Sequence, residues 1–293
     1  MSAATLRPAR SDRFAAVLDV GSFKTVCLIA TLDSEGRPSR IAGVGLAPSL
    51  GIKSGIVVDL AAAESAIRFA IAQAEDMAGI QLERIDLLLN GGPLTSRTFA
   101  AAAPVENRIV TQQTVDRLAA AGRAHVTKDG RQILQLETWG YSLDGGPLVA
   151  DPVGGRADRI AAHQFVVTTD AQPVVNLTRT IGRCYLAARR LVPGPIASSL
   201  AVTSEDERRH GIVTIDIGAA VTGVAMFQEG RAIFACTLPI GGGHVTLDIV
   251  HALRTPLEEA ERIKTLYGTV LKAQSDQHDV FTYAITGVGE GLE

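Results

Sequence analysis

Ala16-Val17-Leu18-Asp19-Val20-Gly21 is answered, 197 residues further on, by Val213-Thr214-Ile215-Asp216-Ile217-Gly218. In each, an apolar strand delivers an aspartate, a glycine follows two residues later, and another apolar run leaves at once. Each unit then closes on an acidic-glycine turn, Glu35-Gly36 and Glu229-Gly230. Apolar runs broken by such turns read as antiparallel strands. The first glycine permits a tight bend whose N–H groups point into a gap and hold phosphate oxygens. The aspartate at the strand end reaches a magnesium ion through its water shell, because that ion keeps several waters. Two such hairpins opposed would clasp a nucleotide's phosphates between two domains.

Rival phosphate motifs do not fit. A dinucleotide loop needs G-x-G-x-x-G opening a helix, whereas Gly21 leads into a strand from Val26 to Ala30. A P-loop needs G-x-x-x-x-G-K-[ST], but Lys24-Thr25 follows Phe23. Gly287-Val288-Gly289, at the chain's end, has no helix behind it. Gly241-Gly242-Gly243 adds a further element, a glycine turn between a strand and a helix N-terminus, where free N–H groups favour an anion. Glu261 and Lys264, three apart on the next helix, read either as an intrahelical ion pair or as ribose ligands. The paired hairpins predict an α/β, actin-like (ribonuclease H-like) two-domain fold.

Outward from the hairpins, the organisation is regular. Phe14 to Leu32 and Ile41 to Leu46 form a β-meander. Asp59 caps a helix running to Met77 and stopped by Gly79, and Ile85 to Leu89 is a buried strand. After Gly91-Gly92-Pro93 the character changes. A helix from Thr114 to Ala124 and strands Gln132–Leu143 and Ala161–Thr169 mark an inserted small α/β subdomain over 91–169. A helical pattern then carries Leu177, Ile181, Cys184 and Ala188, and the charged run 205–210 reads as a solvated connection. The second half repeats hairpin, strand (Ala232 to Pro239), glycine turn and helix. Thr255-Pro256-Leu257-Glu258 predicts a capping box with Pro256 at the first helical position. An apolar run from Val280 to Ile285 lies beyond Gly268.

Composition narrows the function. Hydrophobic residues are 46% and charged residues 20% of 293, a globular balance, and aromatics are only 4%, so Val, Ile, Leu and Ala must build the core. A net charge of -3 argues against nucleic acid, which needs clustered Lys and Arg. No run of 18 apolar residues exists to span a membrane, and Asp19 and Lys24 interrupt any signal-peptide core. Cys27, Cys184 and Cys236 have no partner motif and are expected as buried, reduced thiols of a cytoplasmic protein.

Asp19-Val20-Gly21-Ser22-Phe23-Lys24-Thr25 resembles the first phosphate motif of the bacterial cell-division family FtsA. Gly43-Val44-Gly45 with Gly51 to Leu60, and Ser198-Ser199-Leu200 with Thr203 to Arg208, are similar to segments that follow it in that family. The block from Pro239 to Gly243, with Thr246, Asp248-Ile249 and Arg254 to Lys264, is the most specific. The resemblance covers 14–268 in order. It implies 14–90 and 170–205 as subdomain 1A, 91–169 as the inserted 1C, 206–293 as the second actin-like domain (2A and the start of 2B), and 1–13 as a flexible N-terminus. It implies an ATP-binding adaptor that polymerises, tethers FtsZ to the inner face of the cytoplasmic membrane in the Z ring, and recruits later division proteins. By position, Asp19, Gly21, Ser22 and Lys24 would line the first phosphate loop, and Asp216 and Gly218 would begin the second. Gly241, Gly242 and Gly243 would face the phosphates, Glu261 and Lys264 would meet the ribose, and Asp19 and Asp216 would hold magnesium through water.

Two departures temper this. The family's second loop reads D-x-G-G-G-T-x-D, but Ala219, Ala220, Val221 and Gly223 stand here, adding two Cβ atoms and removing a hydroxyl and a carboxylate. Hydrolysis should suffer more than binding, leaving at most a weak ATPase. The family also continues into another subdomain, a second adenosine motif and a lipid-binding amphipathic helix. None follows Glu293, so the chain is expected to be C-terminally truncated, with its second half incomplete, ATP binding weak or absent and no membrane anchor of its own. The alternatives are a PilM-like pilus-assembly scaffold and a small-molecule kinase of the same superfold.

Overall fold

The computed structural model of the chain describes residues 13–127, 130–271 and 280–285. The first hairpin is β1 (Phe14–Val20) and β2 (Lys24–Leu32), extended by β3 (Pro38–Pro48) into an antiparallel meander. On the other edge of β1, β6 (Arg84–Leu89) pairs in parallel, and β11 (Ala187–Pro193) pairs in parallel with β6. The resulting sheet runs β11-β6-β1-β2-β3. A two-residue ladder, β4 (Ile52–Lys53) with β5 (Ile56–Val57), leads into α1 (Leu60–Ala78).

α1 begins where expected, because the Asp59 carboxylate accepts from the N–H groups of Ala61 and Ala62. It ends at Gly79, whose left-handed φ of 67° suits a residue without Cβ. The helix lies unusually close to β3. A Cβ on Gly43 or Gly45 would sit 2.1 Å from Ala74 O or 1.7 Å from Ala70 O. Small residues on both surfaces are how a core with few aromatics reaches dense packing. Leu18, Cys27, Ile29, Ile67, Ala70, Ile85, Leu87 and Ile181 form its centre.

The insertion is a four-stranded antiparallel sheet, β7 (Thr95–Pro104), β10 (Arg159–Asp170), β8 (Arg131–Leu143) and β9 (Leu148–Val149), with α2 (Gln112–Thr127) against it. β7 was not foreseen, because its alanines and polar residues carry no apolar period. Arg131 latches the two crossings between insertion and host. Its guanidinium donates to Pro93 O and Thr95 Oγ1 where the chain goes in, and to Thr168 Oγ1 and Asp170 Oδ1 where it comes out.

The helix after the insertion, α3 (Ala171–Arg183), stops short of the expected span. Tyr185 takes a left-handed φ of 61°, and Ala188 therefore lies in β11, not on the helix. α4 (Gly194–Val202) follows, and the charged run is not a bare connection but a one-turn-and-a-half helix, α5 (Glu205–His210). A reciprocal Ser204–Glu207 capping box starts it. The second sheet is β12 (Ile212–Ile217), β13 (Thr222–Gln228) and β14 (Arg231–Leu238), followed by α6 (Gly242–Leu253) and α7 (Leu257–Tyr267). The Thr255 capping box does not form. Thr255 Oγ1 instead donates to Ala284 O, Pro256 sits one place before the helix, and no side chain caps α7. Val280 to Ile285 adopts neither helix nor strand. Of the three thiols, only Cys27 is fully buried; Cys184 and Cys236 are half-buried.

The insertion is joined to the second sheet as well as to the first. Leu94 and Thr237 exchange N–H···O bonds, Ser96 Oγ accepts from Ala235 N–H, and Leu94, Phe165 and Val167 share a core with Ile196, Ala225, Phe227 and Ala235.

Candidate functional site

The two hairpin turns close identically. Gly21 N–H donates to Lys24 O at 3.1 Å, and Gly218 N–H donates to Val221 O at 2.9 Å. Neither glycine has a positive φ; each is needed because a Cβ would come within 3.0 Å and 2.9 Å of that accepting oxygen. Asp19 and Asp216 stand at equivalent strand positions, paired with Val26 and Gly223. Burial pushes the Asp19 carboxyl up, the Asn90 amide opposes this, the charge of Asp216 raises it further, and Lys24 opposes; the net shift is upward. The two carboxylates are thus near enough to repel. Hard oxygen donors with like charge suit a hydrated divalent cation, so the donor set fits magnesium.

Each turn is braced from behind. At the first, Ser22 Oγ accepts from Gly55 N–H, and Phe23 O accepts from Ser49 N–H. At the second, the carbonyls of Gly218 and Ala219 accept from Gly242 and Gly243 N–H at 2.9 and 2.7 Å. This corrects the expectation of free amides at the glycine turn. Gly241 N–H is also engaged, by His244 Nδ1. The glycines serve close packing: a Cβ on Gly241 would meet Gly218 O at 2.3 Å, and one on Gly243 would meet Ala219 O at 2.8 Å.

Glu261 and Lys264 do form the ion pair, 2.6 Å apart, and together they grip the start of α6. Thr246 Oγ1 donates to Glu261 Oε2, while Lys264 Nζ donates to Thr246 Oγ1 and Gly242 O. Lys264 and Thr246 hold the Glu261 carboxyl below its usual range. Gly218, Gly241 to Gly243, Glu261 and Lys264 therefore belong to one network, while Gly21, Ser22 and Lys24 surround the other turn.

Two residues escaped the sequence reading. Asn90 Nδ2 donates to Asp19 Oδ1 at 2.7 Å, and Ser198 Oγ donates to Asp216 Oδ2 at 2.6 Å. Asn90, a polar residue ending an apolar strand before Gly91-Gly92, carried a signal of the same kind as Asp19; Ser198 stood in a family-like segment, with nothing in its spacing to link it to Asp216. At the departure Gly223, a Cβ would lie 2.9 Å from Pro195 Cγ, so α4 occupies the space a side chain there would need. Among the described residues no group of three or more His, Cys, Asp or Glu is placed to hold a metal directly.

Two opposed strand-turn-strand units, each ending in Asp-x-Gly, on α/β domains with an insertion between them define the actin-like ATPase fold. The PilM chain of a PilM-PilN type IV pilus biogenesis complex matches this architecture with a TM-score of 0.66 and 16% identity, over 87% of this chain and 70% of that one. Family models add detail: residues 91–168 match the SHS2 domain inserted in FtsA, and 213–292 match the cell division protein FtsA. The cell division protein FtsA of Agrobacterium fabrum is 34% identical over 296 residues, covering 97% of this chain and 66% of that protein. Its counterpart in Escherichia coli K12 is 30% identical over 254 residues, covering 87% of this chain and 60% of that protein. The chain belongs to the FtsA family of cell division proteins. It spans 66% of the length of the first relative.

Proposed function

We propose that the chain is the nucleotide-clasping part of a cell-division adaptor. In this reading ATP and magnesium lie between the hairpins, with Asp19, Gly21, Ser22 and Lys24 on one side and Asp216, Gly218, Gly241, Gly242, Gly243, Glu261 and Lys264 on the other. The observation that carries it is the matched pair of turns, closed by the same hydrogen bond and bearing carboxylates that feel one another. Ala219, Ala220 and Val221 crowd the second turn and offer no hydroxyl, so turnover is slow and the nucleotide acts as a conformational and assembly signal. The adaptor self-associates into polymers, engages FtsZ and later division proteins, and works at the cytoplasmic face of the inner membrane. Among the described residues no helix is long and apolar enough to cross a membrane. In this reading attachment there uses an amphipathic helix of the kind the family carries.

Equilibrium binding of a fluorescent ATP analogue tests the cleft. Magnesium-dependent binding weaker than micromolar (a free energy smaller than about 8 kcal/mol) is expected, and Asp19→Ala should abolish it. Binding that Asp19→Ala leaves untouched would refute the assignment. Co-sedimentation with FtsZ polymers tests the adaptor half.

The PilM-like alternative shares the fold, but identities of 30 to 34% place the chain with FtsA.

A further inference from the structure

Asn90 and Ser198 lie outside both strand-turn motifs, yet each donates to one of the two carboxylates. Both are tied to one helix. Asn90 Oδ1 rests on Gly194, the first residue of α4, where a Cβ would come within 1.6 Å of it. Ser198 is one turn further along the same helix. Between them, Pro195 packs on Gly223 of the second hairpin, and Ile196 is buried with Ala225 in the core beneath that sheet. α4 therefore touches the first hairpin through Asn90 and the second through Ser198, Pro195 and Ile196.

A carboxylate with one oxygen held by a fixed donor presents the other in a set direction. That matters for a magnesium-sized cation, whose near-octahedral water shell tolerates little displacement of the groups around it. We propose that Asn90 and Ser198 are positioning residues of the cleft, and that α4 is the strut setting the spacing of Asp19 and Asp216 for a hydrated divalent cation. This rests on the reading of the cleft as a magnesium-nucleotide site. Asn90 and Ser198 do not touch the cation; they act through the carboxylates they orient.

Mn2+ alone, followed by water-proton relaxation on the full 293-residue chain, is the probe. Asn90→Ala and Ser198→Ala should each weaken Mn2+ binding by roughly tenfold, the lower end of what loss of an orienting partner costs a metal site. Ser198→Thr, which keeps the hydroxyl, should restore it. Both side chains are only half-buried, and a thermal melt of each variant establishes that it is folded. Unchanged Mn2+ affinity in folded Asn90→Ala and Ser198→Ala overturns the inference, as does a lack of Mn2+ uptake by the unaltered chain. Mn2+ binding that follows Asn90 and Ser198, with no ATP binding in its presence or absence, upholds the inference and sinks the nucleotide reading.

Discussion

The two hairpins are near copies in sequence and opposites in burial. Ala16, Leu18 and Val20 of β1 are at most 6% exposed, whereas their counterparts Val213, Ile215 and Ile217 of β12 are 52 to 69% exposed. The reverse holds on the other face. Leu28 and Val26 of β2 are exposed or half-buried, while the equivalent Ala225 and Gly223 of β13 are buried beneath α4. Part of the cause is the neighbours each hairpin meets. β1 has β6 on its far edge, and its Ala16, Leu18 and Val20 share a core with Ile67 of α1 and Ile181 of α3; α4 packs on the second hairpin from the opposite side. The lesson is that a strand's motif sets its turn and its chemistry, while its burial is set by what the rest of the chain lays across it.

That contrast can be broken most directly by truncating the matched leucine and isoleucine. Leu18→Ala should cost about 2–5 kcal/mol, as buried large-to-small changes do, and Ile215→Ala should stay within about 0.5 kcal/mol, as exposed sites do. Urea denaturation of the two variants measures both. Equal losses would mean that β12 is as well covered as β1.

These expectations show where sequence was enough. The hairpins, α1 with its Asp59 and Gly79 ends, β6 and the glycine turn were all legible, because each is determined by residues within a few positions. β7 and β11 were not. Ala187 to Pro193 becomes a strand only because β6 offers it a parallel edge, and Thr95 to Pro104 only because β10 does. At the site, the phosphate turns were legible from glycine and aspartate spacing. The loss of free amides at Gly242 and Gly243 was not, because it depends on carbonyls 24 residues earlier in the chain. The Thr255 cap failed for the same reason, since its hydroxyl found Ala284.

A second test concerns β6, the strand that shields the first hairpin. Burial alone would raise the Asp86 carboxyl on β6, but hydrogen bonds from Arg189 and Arg190 on β11 outweigh it and hold it below the usual range. A carboxyl depressed on folding contributes stability that is present above its unfolded pKa, about 4, and is lost as pH falls through the folded value. Stability should therefore drop as the chain is acidified below that point, and Asp86→Asn should flatten this part of the pH profile. A profile unchanged by Asp86→Asn would remove the clasp from the account of the first sheet's security.

The smallest perturbation uses the native thiols. Cys27 of the first hairpin is buried and its thiol is pushed up to about 12, first by burial and then by the charge of Glu75. Cys236 of the second sheet is half-buried and raised by burial alone. Iodoacetamide should modify Cys236 well before Cys27 in the folded chain, since only thiolate reacts. Modification of Cys27 at the same rate would show the first hairpin opening as readily as the second.

The latch at Arg131 and the core shared by Leu94, Phe165 and Val167 with the second sheet make the insertion a lever arm. Both attachments lie at one end of its strands, and past Thr98, which pairs with Phe165, β7 continues to Pro104, roughly 20 Å at about 3.4 Å per residue. A swivel of about 5° at the attached end would therefore displace the far tip by roughly 2 Å over that length. A rotation imposed at the attached end would in this way be magnified at the tip furthest from it.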